Sequence, residues 1–279
     1  MAFDSDRLVP STLYACATVL IYDWLCTLDR EISCVWPRPW SPGTVLFMLN
    51  RYLPFIDVSL GLSAKTTRIS PEQCLTRFKI VGWLSIIGVY ISEAILMMRT
   101  YALWENRRGV LVFLAILAVC TAIATALFTE LELASLRYVQ TPGIGCELGA
   151  ASTVIIYAYL ALMVSETTIV VMTAIRAYHD LRRTRQPWLV KLYRTGILFY
   201  IYLLAISLAN MLLPIFGPPA LTNWLSTPQR VLHSVLCTRV LLLIRGQHMR
   251  RASPSRSNLT ELIFAAEGVA RSEAETVDY

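Results

Sequence analysis

The chain has 279 residues, of which 56% are hydrophobic and only 16% are charged, and its formal net charge is +6. Its mean hydropathy is +0.54. A soluble protein of this length carries about 25% charged residues to cover its surface. The composition therefore excludes a disordered chain, a coiled coil and a secreted disulfide scaffold. It favours an all-α, multi-pass membrane protein.

A helix needs about 20 residues to cross the hydrocarbon core of a bilayer. Seven apolar segments meet or approach that length: residues 10–28, 42–62, 80–103, 109–129, 151–175, 195–216 and 228–245. The first two are the least apolar, and we interpret them as a helical hairpin joined by residues 29–41. The sequence thus predicts a seven-helix transmembrane domain over residues 1–245 and a tail over residues 246–279.

The basic residues predict how this bundle is oriented. With the N-terminus outside and the C-terminus inside, about twice as many Arg and Lys lie on the inner side as on the outer side, where Arg230 is counted. Because the bases cluster between apolar runs, they indicate membrane topology and not a nucleic-acid surface. The basic loop 176–194 and the tail are candidate surfaces for a cytoplasmic protein partner.

The tail contains one pattern of its own. Asn258, followed three residues later by Glu261, has the spacing of a capping box, and apolar residues then recur at helical intervals. This predicts a short amphipathic helix on the inner membrane face, with a partner-binding or solvated tail as the alternative.

The N-terminal third carries a distinctive motif between Tyr22 and Asp57. It reads YDWLCTLDREISCVWPRPWSPGTVLFMLNRYLPFID. It resembles a family of fungal multi-pass membrane proteins known as domain of unknown function 6533, whose pattern combines YD, LLTL, a Trp, WS and LFLLNRY. The matching residues are Tyr22, Asp23, Thr27, Leu28, Glu31, Trp36, Trp40, Ser41, Asn50, Arg51, Tyr52 and Asp57, whereas Cys26 replaces a Leu. Residues 99–108 and 239–250 look like later parts of the same family. The resemblance implies a seven-helix architecture and no particular activity.

Ionisable side chains inside a bilayer are costly and usually face the bundle interior. Two groups follow from the sequence. The candidate ligand site or polar core contains Glu93, Glu166, His233 and Arg239, and the candidate structural clasp contains Asp23, Arg51 and Asp57. Two interpretations stay open: a ligand pocket or proton path, or buried pairs that hold the helices in register.

The motifs of common enzymes are missing. The chain has three His, with no HExxH motif and no Cys/His cluster at zinc spacing. Retinal needs a Lys within a span for its Schiff base, whereas Lys65, Lys79 and Lys191 lie in loops or at span edges. We therefore expect no enzyme activity, no metal and no cofactor.

Two cysteines are predicted to form a disulfide. In the N-out orientation, Cys74 and Cys146 are the only Cys in outer loops, where the environment is oxidising. A bridge would tether the loop 130–150 over the mouth of the bundle. The alternative is a pair of free thiols too far apart to bond.

Three functions fit these observations. The first is a receptor-like or sensory seven-helix protein in a membrane whose identity the sequence leaves open, with an unknown small-molecule ligand. The second is a small transporter or proton-coupled carrier that uses Glu93 and Glu166. The third is a structural membrane protein without a ligand. We see no three-helix repeat of the kind that transporters commonly show, which favours the first function over the second.

Overall fold

The computed structural model describes residues 5–37, 39–66, 70–140, 146–150, 152–183, 187–217 and 221–252. Within these ranges the chain forms seven helices. They are α1 (Ser5–Cys34), α2 (Pro42–Thr66), α3 (Pro71–Leu103), α4 (Arg108–Ser135), α5 (Ile155–Arg183), α6 (Pro187–Phe216) and α7 (Ser226–Ala252). The predicted helix number is therefore confirmed for the described residues.

The helices suit a bilayer by length and composition. Segments of α1 to α5 are long and apolar enough to cross a membrane, and the described apolar stretch of α6 is the shorter Tyr200–Phe216. Helix α7 carries Arg230, His233 and Arg239 along its length. The chain is thus a multi-pass membrane protein. Its orientation stays a prediction, and the predicted amphipathic helix in the tail lies outside the described residues.

Two boundaries differ from the sequence prediction. Helix α1 continues to Cys34, whereas residues 29–41 were expected to be a loop. The extra turns place Glu31 in the interior, where it is fully buried. Helix α5 and helix α6 end and begin only a few residues apart, at Arg183 and Pro187, so most of the predicted basic loop 176–194 is helical.

A short β-hairpin, which the sequence analysis did not predict, lies between α4 and α5. Strands β1 (Arg137–Gln140) and β2 (Cys146–Ala150) pair antiparallel, with Tyr138 opposite Leu148 and Gln140 opposite Cys146. Strand β1 also packs against α3. The hairpin is a small addition that leaves the all-α class unchanged.

The turn between α3 and α4 is tight. Glu105 and Asn106 both adopt left-handed backbone conformations, with φ of 57°. Asn tolerates this region better than most residues, because its short polar side chain can bond locally. Trp104 secures the turn by donating its indole N–H to the carbonyl of Met172 on α5, at 3.3 Å.

Helices α3 and α7 occupy the centre of the bundle. Helix α3 packs against α2, α4, α5 and α7, and α7 packs against α1, α2, α3 and α6. The main hydrophobic cluster draws on α3 to α7 and consists of Ile95, Leu96, Met97, Leu114, Ile169, Tyr200, Leu203 and Cys237. Polar and charged side chains are buried beside it, whereas the outward faces of α4 and α5 carry exposed aliphatic residues. The candidate site therefore lies in the interior.

Candidate functional site

The first buried group joins α1, α2 and α7, and we call it the arginine clasp: Asp23, Glu31, Arg51 and Arg239. Arg51 Nε lies 2.5 Å from Glu31 Oε2, and Arg51 Nη1 lies 3.8 Å from Asp23 Oδ2. Arg239 Nε reaches the other oxygen of Asp23 at 2.6 Å. Two carboxylates thus face two guanidinium groups, and the clasp is balanced in charge.

Neutral groups complete the bonds of the clasp. Arg51 Nη2 donates to Thr27 Oγ1 at 2.7 Å and to the carbonyl of Trp24 at 3.2 Å. Glu31 accepts from the Tyr52 hydroxyl at 2.9 Å and from the Trp36 indole at 3.3 Å. Buried charges are stabilised only when such bonds accompany the ion pair. The motif residues spread over the first two helices therefore converge on one structural unit.

Asn50 links three helices one residue before Arg51. Its side-chain amide donates to the carbonyl of Ser234 at 3.1 Å and to Thr238 Oγ1 at 3.3 Å, both on α7. Its Oδ1 accepts from the Ser92 hydroxyl of α3 at 2.5 Å. The Ser234 hydroxyl returns a bond to the backbone carbonyl of Asn50 at 2.6 Å. These bonds fix the position of α7 relative to α2 and α3.

A second ion pair connects α2 to α7 through Asp57 and Arg230. Arg230 Nε lies 3.3 Å from Asp57 Oδ2, and both side chains are at most 1% exposed. The guanidinium packs against Gly88 of α3, where a Cβ atom would overlap it. Gly88 therefore creates the space that the arginine occupies.

The third group joins α3, α5 and α7, and we call it the acid–histidine cluster: Glu93, Ser165, Glu166 and His233. Each of the four is at most 3% exposed. The Ser165 hydroxyl donates to Glu93 Oε2, and His233 Nε2 lies 2.9 Å from Glu166 Oε1. Since Ser165 and Glu166 are consecutive, one turn of α5 contacts both neighbouring helices. The two carboxylates also interact electrostatically.

The acid–histidine cluster is not balanced in charge, unlike the arginine clasp. Among the described residues, no Arg or Lys pairs with Glu93 or Glu166, and only the imidazole of His233 offsets their charge. Glu93 Oε1, Glu166 Oε2 and His233 Nδ1 have no hydrogen-bond partner in this part of the chain. A buried acceptor that lacks a donor is costly in a low dielectric. The cluster is therefore suited to bind a hydrogen-bond donor of a ligand.

The structure regroups the residues singled out in the sequence. Arg239, which we grouped with Glu93, Glu166 and His233, contacts Asp23 instead. Asp57, which we grouped with Asp23 and Arg51, pairs with Arg230. The reason is helical spacing. Arg51 and Asp57 are six residues apart and so lie about 120° apart around α2.

Sequence reasoning missed three residues of the interior. Arg230 was counted among the outer bases, but it is fully buried, and Glu31 was placed in a loop. Asn50 was noted only as part of the motif. For Arg230 the sequence did contain a signal. Asp57 lies within a membrane span and therefore needs a basic partner at a similar depth on a neighbouring helix.

The predicted disulfide concerns Cys74 and Cys146. Cys74 is disulfide-bonded, and Cys16, Cys26, Cys34, Cys120 and Cys237 are free thiols. The side chain of Cys146 lies outside the described residues, so its pairing with Cys74 stays a prediction. In the described part of the chain, no group of three or more His, Cys, Asp or Glu is arranged to hold a metal ion.

Comparison with known proteins gives one match. Residues 12–56, which cover most of α1 and α2, match a family of unknown function, DUF6533. The matched segment contains Asp23, Glu31, Asn50 and Arg51, the residues of the first two helices that build the arginine clasp and the Asn50 links. No curated protein and no solved structure matches the chain. Through its first two helices, the chain is similar to the DUF6533 family.

Proposed function

We propose that the chain is a receptor-like or sensory membrane protein whose conformation is set at the acid–histidine cluster. The observation that carries this proposal is the buried, unbalanced pair of carboxylates between α3, α5 and α7. A proton or a ligand group bound there changes the attraction between three helices at once. A change in charge at one buried point can thereby shift the packing of the whole bundle.

The carboxylate oxygens that lack a hydrogen-bond donor indicate the chemistry of a ligand. Glu93 Oε1 and Glu166 Oε2 are acceptors without a donor among the described residues. A ligand that supplies N–H or O–H groups, such as an amine or a polyol, would satisfy both. A purely acidic ligand would add to the existing negative charge and is disfavoured.

The packing favours a receptor over a carrier. Carriers commonly move one half of the bundle against the other around a central site. In this protein α3 and α7 each contact helices on both sides, and polar bonds run from α2 through α7 and α3 to α5. Such a bundle does not divide into two halves that could move against each other without breaking these contacts.

A proton-coupled carrier is the second candidate. The same two carboxylates, Glu93 and Glu166, support it, because buried carboxylates inside a membrane domain are typical of proton pathways. The two candidates differ in one property. A receptor binds its ligand without net transport, whereas a carrier moves protons across a sealed membrane.

The end of the bundle that the sequence predicts to be inner is the candidate surface for a cytoplasmic partner. Arg176 of α5 lies 2.5 Å from Glu105 in the α3–α4 turn and 3.2 Å from Asp180. The Arg182 guanidinium packs over the Tyr178 ring at 4.5 Å. The basic end of α5 is thus held against the neighbouring turn, and we include this region and the tail in the proposal.

The test uses the full chain purified in detergent and a panel of amines and polyols. Specific binding raises the unfolding temperature, since ligand at about 100 times its Kd adds about 2.7 kcal/mol of stability. Glu93→Gln and Glu166→Gln should fold in normal yield and lose this stabilisation. Glu130→Gln, at an exposed position of α4, is the matched control and should keep it.

Two outcomes would contradict the receptor proposal. Proton flux into proteoliposomes that is lost in Glu93→Gln would identify a carrier. Equal loss of folded protein in Glu93→Gln, Glu166→Gln and Arg51→Gln would show that the acid–histidine cluster is purely structural.

A further inference from the structure

A shallow crevice lies between α3, α6 and α7, and we call it the Arg99 crevice. Arg99 and Tyr200 line it together with apolar side chains, among them Leu96, Leu203, Leu236 and Val240. It has room for little more than one water-sized group. Helix α6 packs more closely on α5 than on α7, so the crevice lies on the looser side of α6. It therefore suits one part of a ligand and not a whole ligand.

Arg99 differs from three other arginines of the transmembrane helices. Arg51, Arg230 and Arg239 each contact a carboxylate. Among the described residues, no Asp or Glu pairs with Arg99, and its buried Nη1 atom has no hydrogen-bond partner. Glu93 of α3 is six residues away and so lies about 120° around the helix. A cation inside a membrane domain normally has an anion beside it, and Arg99 has none in this part of the chain.

Tyr200 supplies a second hydrogen-bond donor beside Arg99. Its side chain is buried, and its hydroxyl has no hydrogen-bond partner among the described residues. The guanidinium of Arg99 is close enough to interact with it electrostatically. A guanidinium can only donate, and a tyrosine hydroxyl can donate as well as accept. The Arg99 crevice therefore offers donors and lacks an acceptor, which is the reverse of the acid–histidine cluster.

Arg99 lies close to one surface of the membrane. Helix α3 ends at Leu103 and is capped by Trp104. Arg99 is thus five residues, or about 7.5 Å along the helix, from a type of residue that is enriched at membrane interfaces. A long arginine side chain at this depth keeps its stem in apolar surroundings and extends its charge toward the surface. A lipid headgroup at this surface is therefore within reach of the guanidinium.

We propose that the Arg99 crevice binds an anionic phospholipid, whose phosphate contacts Arg99 and whose carbons pack against the apolar walls. Charge is the first reason, because phosphate oxygens accept several N–H bonds from one guanidinium. Location is the second. This end of the bundle is predicted to be inner, and basic pockets between helices on that side bind the headgroups of anionic lipids. The proposal goes beyond the proposed function and does not depend on it.

The first experiment measures binding of phosphatidylserine to the purified full chain by native mass spectrometry. Arg99→Gln should weaken this binding at least about tenfold, the factor expected when one hydrogen bond to a charged group is lost. Arg107→Gln is the matched control, because the side chain of Arg107 is 66% exposed beyond the same end of α3. It should change the binding less than about twofold. Equal weakening in both variants, no weakening in Arg99→Gln, or displacement of the lipid by inorganic phosphate at equal concentration would overturn the proposal.

A second measurement needs no variant and so applies even if Arg99→Gln fails to fold. A phosphatidylserine analogue with a photoreactive acyl chain is crosslinked to the unmodified chain in membranes, and the labelled residues are mapped by peptide mass spectrometry. Labels should concentrate at Leu236 and Val240, and phosphatidylserine should compete for them, whereas phosphatidylcholine should not. Equal labelling of exposed α4 positions such as Ile116 and Ile123, or equal competition by both lipids, would show ordinary contact with the bilayer and contradict a specific site.

Discussion

Replacing Gly88 by Ala tests whether Arg230 has any room to move. A Cβ atom at position 88 overlaps the guanidinium of Arg230. At a protein surface the arginine would swing aside at little cost. Here the side chain of Arg230 has no exposed surface, and it is held by Asp57 at 3.3 Å. We therefore expect the new methyl group to push the guanidinium off its carboxylate.

The size of the effect follows from two opposing contributions. Ala is better than Gly in a helix interior by about 1 kcal/mol. Breaking a buried ion pair costs about 3–5 kcal/mol, because a charge is left without its partner. The free energy of unfolding of Gly88→Ala should therefore fall by about 2–4 kcal/mol. Unfolding in detergent, followed by circular dichroism, measures it.

Gly61 of α2 provides the matched control. A Cβ atom there would lie 3.8 Å from Leu13, at ordinary contact distance. Gly61→Ala should be neutral or stabilising by up to about 1 kcal/mol. Equal stability of Gly88→Ala and Gly61→Ala would show that Arg230 relaxes freely, and the reasoning would be wrong.

A chain that lacks the Asp57–Arg230 ion pair tests whether this pair causes the penalty of Gly88→Ala. Buried ion pairs can often be replaced by apolar or neutral groups of similar volume at little cost. In a chain with Asp57→Asn and Arg230→Met the guanidinium is absent, so Gly88→Ala should no longer carry its penalty. A penalty that persists there would arise from the helix backbone or another neighbour, and not from the ion pair.

Three further predictions concern the rest of the molecule. Arg51→Gln strands Glu31 and should lower stability by about 3–5 kcal/mol, whereas adding Glu31→Gln should recover much of the loss in the same unfolding assay. Cys74 and Cys146 should both resist alkylation without reductant, as judged by intact mass, and labelling of both would exclude the bridge. Asn258 starts the only Asn-x-Ser/Thr sequence of the chain and should stay unglycosylated in a eukaryotic host if the C-terminus is inside. A glycan mapped to Asn258 would reverse the predicted orientation.

The sequence by itself determined the fold class and the positions of some polar residues along their helices, although it misplaced Glu31 and Arg230. A bilayer leaves no water for backbone groups, so a chain this apolar must form helices of membrane length. Hydropathy therefore located seven helices, and even the weakly apolar 42–62 segment is part of α2. The depth of Glu93, Glu166 and Asp23 within their helices followed in the same way.

The tertiary structure alone decided which residues meet. Depth along a helix does not give its rotation or its neighbours, so the sequence offered Arg51 and Arg239 as partners for any nearby carboxylate. In the bundle, Arg230 and Arg239 are nine residues apart, or two and a half turns, and therefore face opposite sides of α7. One reaches Asp57 and the other reaches Asp23. In the described part of the chain, no Arg or Lys reaches Glu93 or Glu166, and Tyr22 lies on the outward side of α1. Only the tertiary structure shows this, because the side chains of several helices compete for the same interior.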